Sequence, residues 1–217
     1  MKFPALSKTY GNRKVLDLPC FEIPDGTITA VAGSNGSGKS CLAKILAGIE
    51  QSDQKAKVFP DISVGYMPQK SYAFRMSTSR NILLNGGDNS RSGHLMEVLH
   101  LESLSRQSAK KLSGGETAKM ALARLLMKPY GFLILDEPTA AMDMESTLAA
   151  EELIRTYCKE TGCAVLLITH SIQQARRIAE HMIFLDKGRL VEQGETEQLL
   201  SSPSKEETRR FLEFYGV

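Results

Sequence analysis

No stretch of this sequence is apolar for long enough to cross a bilayer. The longest uninterrupted apolar runs, Phe132–Leu135 and Ala164–Ile168, fall far short of the roughly 20 residues a spanning helix needs. Met1-Lys2-Phe3-Pro4 is not followed by the apolar core of a signal peptide. Cys20, Cys41, Cys158 and Cys163 show no CxxC spacing and no nearby histidine pair, so a zinc site is not expected and free thiols in a reducing cytosol are. A basic excess is missing too. The 27 Lys and Arg against 25 Asp and Glu leave a formal charge of +2, without the positive stripe that binding to nucleic-acid phosphate demands. Nucleic acid is therefore not an expected partner. No internal repeat or low-complexity segment stands out. What remains is a globular composition, 42% apolar and 24% charged, which excludes a disordered or collagen-like chain. At 217 residues the chain can form one domain of ordinary to large size, or two small ones.

Short β-type runs recur at Thr27–Ala32, Ser63–Tyr66, Phe132–Leu135, Ala164–Ile168 and Met182–Leu185. Helical periodicity lies between several of them, as in Leu42, Ile45, Leu46, Ile49 and in Ala118, Ala121, Leu122, Leu125. Alternating strands and helices predict an α/β domain whose central strands are buried on both faces. Residues 1–32 read as β-rich, with turns at Gly11-Asn12 and Asp25-Gly26, and predict a flanking antiparallel sheet. Residues 70–112 read as helical and polar, with Ser, Asn and Gly over 85–93 acting as a joint. They predict an inserted helical subdomain.

The strongest local signal is Gly33-Ser34-Asn35-Gly36-Ser37-Gly38-Lys39-Ser40, set between a β-run and a helical pattern. Glycines let such a loop curl so that successive N–H groups point at phosphate oxygens, and the following helix adds the positive end of its dipole. Lys39 would reach the β- and γ-phosphates of a nucleotide, and the Ser40 hydroxyl would bind Mg2+. A hundred residues on, Phe132-Leu133-Ile134-Leu135 ends in Asp136-Glu137-Pro138. Asp136 emerges at the C-terminal end of a buried strand, where α/β sheets bind ligands, and could hold the magnesium shell. Glu137, one residue further, is suited to polarise an attacking water. Alone, such a carboxylate doublet would be an ordinary solvated turn; the phosphate loop makes it catalytic.

Leu112-Ser113-Gly114-Gly115-Glu116 completes a pattern. With the phosphate loop and LILDEPT it resembles the ATP-binding-cassette (ABC) ATPase family over nearly the whole chain. The resemblance implies one cassette over 1–217: a P-loop NTPase with a RecA-like core, a flanking antiparallel β-subdomain and an inserted helical subdomain at about 70–112. It also assigns roles. Tyr10 resembles the aromatic residue that stacks on adenine, and Gln69 the glutamine that coordinates Mg2+ or water. Ala140-Ala141-Met142-Asp143 resembles the D-loop, and His170 the switch histidine that contacts the γ-phosphate. Ser113 and Glu116 also form a capping-box pattern opening a helix through Ala118 to Met127. In the family this segment, Ser113, Gly114, Gly115 and Glu116, closes over ATP held by a second subunit, so a homodimer or heterodimer is implied, with Asp143 at its interface.

Two departures stand out. Cys41 replaces the usual Thr or Ser beside the α-phosphate; a thiol is a weaker donor, and its place at a helix N-terminus predicts a reactive, low-pKa thiol. Spacing is also short: 30 residues separate Lys39 from Gln69 and 43 separate Gln69 from Leu112. Every expected catalytic residue is nonetheless present, which implies ATP hydrolysis with Mg2+ rather than a degenerate, sensing site. The leading expectation is the ATPase subunit of a membrane transporter, an importer of a small solute, held peripherally at the cytoplasmic face of the membrane. Its partners would be a transmembrane permease, meeting apolar surface at Tyr72-Ala73-Phe74-Arg75-Met76, and a solute-binding protein. The segment from Ala179 to Gly194 also resembles bacterial importers. The competing reading is a soluble cassette ATPase of iron–sulfur cluster assembly, with no pore.

Overall fold

The computed structural model describes residues 1–55 and 62–214, so the shortened stretch between Lys39 and Gln69 lies partly outside the described residues. Four strands open the chain as two antiparallel pairs. They are β1 (Lys2–Phe3), β2 (Leu6–Tyr10), β3 (Arg13–Leu18) and β4 (Phe21–Glu22), with β1 paired to β4 and β2 to β3. On β3 the buried Leu16 and Leu18 flank the exposed Asp17, the two-residue alternation of a half-covered strand. The antiparallel flank therefore ends at Glu22 rather than at residue 32. Ile28–Gly33 forms β5, buried at all six positions, and belongs to the central sheet. A run of apolar residues broken only by Thr29 suits a strand covered on both faces.

The remaining elements are α1 (Lys39–Leu46), β6 (Val64–Met67), α2 (Thr78–Leu83), α3 (Asn89–Val98), α4 (Gly114–Leu125), β7 (Phe132–Asp136) and α5 (Met144–Thr161). Then follow β8 (Ala164–Ile168), α6 (Ile172–Ile178), β9 (His181–Asp186), β10 (Arg189–Glu195), α7 (Thr196–Ser201) and α8 (Glu206–Phe214). Two helices stop earlier than their periodicity predicts. At α1 the chain leaves the helix through Gly48 at φ +70°, so Ile49 is exposed. At α4 the last helical residue is Leu125, not Met127.

The central sheet has the order β10-β9-β5-β8-β7-β6, parallel throughout except for β10, which runs antiparallel along the edge. Alternate residues feed two cores. Ile28, Ala30, Leu133, Leu135, Val165 and Leu167 face one side, with Met120, Ile154 and Tyr157 of α4 and α5. Val31, Phe132, Ile134, Leu166 and Ile168 face the other, with Leu42 and Ile45 of α1 and Leu6 and Leu16 of the hairpin. The segment between β6 and α4 carries α2 and α3, and its Leu95, Leu99 and Leu101 join the first of these cores. The joint expected over 85–93 is narrower, with Gly86 and Gly87 at positive φ before Asp88 caps α3.

Candidate active site

Strands β5, β8 and β7 lie side by side and finish level: Val31 is opposite Ile168, and Ile168 is opposite Asp136. Whatever follows them must emerge at the C-terminal ends of these central strands. That end of the sheet receives the loop Ser34–Gly38, the pair Asp136-Glu137 and, after Thr169, His170.

Gly33 turns the chain out of β5 at φ +151°, where a Cβ would lie 2.1 Å from the Leu185 carbonyl oxygen. No side chain fits there. Gly38 starts α1 from φ +104°, with a virtual Cβ 2.6 Å from Leu16 Cδ1. Between them the Ser37 hydroxyl is buried without a hydrogen-bond partner, and Ser34 Oγ donates to Asp186 Oδ1 at 3.2 Å. Lys39 is 5% exposed, and its Nζ donates to the carbonyls of Gly33 at 2.7 Å and Ser34 at 2.9 Å. Burial pulls the ammonium below its ordinary pKa, against the opposing pull of Glu137 and Asp136. The amine thus rests in the loop on two carbonyl acceptors that an anion can replace.

Asp136 is 2% exposed, and burial raises its carboxyl above the ordinary range, with the Ser40 hydrogen bond pulling the other way. Ser40 Oγ approaches Asp136 Oδ1 at 3.4 Å. A hydroxyl and a carboxylate, both hard oxygen donors converging beside the loop, fit Mg2+. Glu137 holds φ at +52°, the left-handed region. The following Pro138 disfavours the right-handed helical alternative, while the Glu137 N–H donates to Ile168 O at 2.9 Å, extending the ladder by one step. The side chain thereby meets His170, Nε2 to Oε1 at 2.8 Å.

The loop, Glu137 and His170 border a cavity of about 290 Å3 lined by Val15, Asn35, Gly36, Ser37, Gly38, Lys39, Ser40, Cys41, Gln69, Glu137 and His170, with Gly33, Ser34 and Asp136 outside that lining. Two other groups stand outside this lining. Tyr10, 47% exposed, lies beside it with Oη 3.9 Å from Cys41 Sγ. Ser113 caps α4 in a reciprocal box: Ser113 N donates to Glu116 Oε2 at 2.7 Å, and Glu116 N donates to Ser113 Oγ at 3.2 Å. Gly115 comes so close to the Ala141 carbonyl that a Cβ would be 2.6 Å from it, so the signature segment rests on the 140–143 loop. Gly114 is exposed beside it. Asp143 caps α5, its Oδ1 accepting from Ser146 N at 2.8 Å.

Cys41 departs from expectation. It sits in the first turn of α1, but burial raises its thiol pKa, with the Tyr10 hydroxyl acting in the opposite sense. Desolvation is the largest influence on the thiol. Iodoacetamide at neutral pH is expected to modify the exposed Cys20 first and Cys41 several-fold more slowly, with the buried Cys158 and Cys163 last. Peptide mapping against time checks the order, and Cys41 labelling first would restore the reactive-thiol expectation.

Two contributors lack a motif. Val15 lines the cavity because β3 bulges there, with Leu16 opposite Lys8 and Lys14 opposite Thr9, so Val15 has no partner in the ladder. Asp186, which holds Ser34, ends β9 beside β5. A carboxylate at a strand's C-terminal end was the available signal.

A phosphate loop between the first central strand and its helix, with carboxylates at the end of the strand two places away, defines a P-loop nucleoside triphosphatase. The sequence profile of the ABC transporter family matches residues 16–140. The tungstate uptake system ATP-binding protein TupC of Peptoclostridium acidaminophilum is 37% identical over 204 residues, covering 86% of this chain and 94% of that protein. The zinc import ATP-binding protein ZnuC of Chelativorans sp. (strain BNC1) is 35% identical over 183 residues, covering 82% of this chain and 64% of that protein. A solved structure of the ATP-binding subunit of an ABC transporter superposes with a TM-score of 0.82 at 20% identity, covering 98% of each chain. The chain belongs to the ABC transporter family, as an ATP-binding cassette ATPase.

Proposed function

We propose that this chain hydrolyses ATP to drive import of a small solute through a separate membrane permease, working as a pair of cassettes. The observation that carries this is the groove beside Gln69. A cavity of about 570 Å3 opens along β6 and α4, lined by Tyr72, Phe74, Met76, Leu84 and Arg124 among others. Tyr72, Phe74 and Leu84 are 58%, 43% and 50% exposed, far more than apolar side chains of a closed core. The aromatic pair is nevertheless fixed. Its rings meet edge to face at 5.0 Å, Arg124 Nη2 donates to Tyr72 O at 2.9 Å, and the buried Asn81 accepts from Phe74 N at 2.9 Å. Such rigid apolar exposure next to the nucleotide site suits a short helix from the pore. The import relatives named above favour transport over iron–sulfur assembly, and their tungstate and zinc cargoes point to small inorganic ions. A solute-binding protein would deliver the ion on the far side. Among the described residues no helix is long and apolar enough to cross a membrane, which accords with a peripheral subunit on the cytoplasmic face.

Within the site, the N–H groups of Asn35 to Ser40 and the Lys39 ammonium would bind the triphosphate, with Gly33 and Ser34 shaping the loop and Cys41 beside the α-phosphate. Tyr10 would offer its ring to the base. Ser40, Asp136 and Gln69 would hold Mg2+, which when bound offsets charge on the β- and γ-phosphate oxygens. Glu137 orients the attacking water and takes its proton at a carboxylate oxygen as the oxygen–phosphorus bond forms and ADP departs. His170 fixes that carboxylate through the 2.8 Å contact and would face the γ-phosphate. A second cassette, identical or related, would bring Ser113, Gly114, Gly115 and Glu116 over this phosphate through the free N–H groups of α4, with Asp143 at the seam. The whole of 1–217 then reads as one cassette, with about 70–112 as its helical subdomain.

Phe74→Asp is expected to cut recovery of a membrane-spanning partner at least about tenfold, because a carboxylate would be desolvated in the apolar groove. ATP affinity should be unchanged. Affinity purification from solubilised membranes reads both; a soluble scaffold protein recovered in place of a membrane protein would overturn the transport reading.

A further inference from the structure

We propose that Glu50 and Lys8 are positioning residues for the nucleotide, clamping Tyr10 so that one ring face stands ready for the base. This rests on the reading that Tyr10 stacks on adenine and extends it to residues no motif contains.

The clamp is visible from three sides. Lys8 and Tyr10 are two apart on β2 and project from the same side of the strand. Lys8 Nζ lies 5.0 Å from the centre of the Tyr10 ring, over one face, in cation–π contact. The Tyr10 hydroxyl donates to Glu50 Oε1, and the same carboxylate oxygen pairs with Lys8 Nζ at 3.3 Å. One face and the hydroxyl edge are therefore occupied, yet the residue remains 47% exposed. The exposed remainder is the face a purine can cover. Hydrogen bonding between the two groups lowers the Glu50 pKa and raises that of Tyr10, so the carboxylate stays an acceptor and the phenol a donor.

Glu50 is itself held in place. Its N–H donates to Lys44 O of α1 at 3.1 Å, and the next carbonyl, Gln51 O, accepts from Lys8 Nζ at 2.7 Å. Asp53 then stitches the segment to β2. Its N–H donates to Ser7 O at 2.9 Å, and its carboxylate accepts from Thr9 N at 3.0 Å and from Thr9 Oγ1 and Ser7 Oγ at 2.9 Å. The helix that follows the phosphate loop thus delivers, at its far end, the residue that aims the base platform. Phosphate and base contacts are set by one connected piece of chain, and the ring pays little ordering entropy when the base arrives.

The test compares two ligands on this chain: ATP, and inorganic tripolyphosphate, which has no base. Glu50→Ala is expected to weaken ATP binding about three- to tenfold, the worth of one pre-ordered side chain. Tripolyphosphate binding should stay within about twofold. Glu50→Gln, which keeps an acceptor for the phenol, should recover most of the ATP loss. On a Tyr10→Ala background Glu50→Ala should add nothing. Equal weakening of both ligands would mean that Glu50 only braces α1, and would overturn the proposal. If Tyr10→Ala weakens ATP binding and Glu50→Ala does not, the positioning role alone is lost. If Tyr10→Ala leaves ATP binding unchanged, the stacking reading itself is lost.

Discussion

Glu137→Gln is expected to lower ATP turnover by about two to four orders of magnitude, the range a general base supplies, while ATP affinity stays within a few fold. The substitution suits this site because it changes so little else. Glutamine has the same length and keeps an oxygen that can accept from His170 Nε2, now 2.8 Å from the carboxylate. The left-handed backbone at φ +52° is imposed by the neighbouring chain, by Pro138 on one side and by the ladder bond to Ile168 O on the other. What is removed is the carboxylate's negative charge and, with it, the capacity to take a proton. Turnover compared between variant and parent in the same preparation reads the effect, and equal rates would remove Glu137 from the chemistry.

The site was legible in the sequence wherever local chain and local function coincide. The phosphate loop needs glycines at positive φ within a few residues of each other, and Asp136-Glu137 needs only a buried strand before it. Pattern alone finds both. Val15, Asp186, Glu50 and Lys8 were not found, because distant elements bring them in: a bulge on β3, the placing of β9 beside β5, and the stitching of 50–54 onto β2. Sequence pattern groups Ile28–Gly33 with the flanking sheet because a strand's sheet is decided by its partners, and those lie far along the chain at Ala164–Ile168 and His181–Asp186. Cys41 misled for a related reason. The helix terminus is visible in the sequence, whereas the burial that raises the thiol's pKa is a property of the fold.

Lys39→Ala is expected to weaken ATP binding on the order of 100-fold, about 2–3 kcal/mol, the cost of removing a charge-assisted hydrogen bond to phosphate. The ammonium is already inside the loop, 5% exposed, bound to Gly33 O and Ser34 O. It is also the cation that faces Asp136 and Glu137, whose charges favour its protonated form. Alanine therefore removes two effects together: a donor for the triphosphate, and the positive charge that balances two carboxylates at the point where more negative charge must enter. Arginine should not rescue, because a slot that buries a slim ammonium has no room for a planar guanidinium. The fold should survive, since the two carbonyls Lys39 satisfies lie at the loop, within reach of water once the side chain is gone. A thermal melt beside the binding titration separates the outcomes. An unchanged melt with ATP affinity within about threefold of the parent would show that backbone N–H groups alone hold the triphosphate.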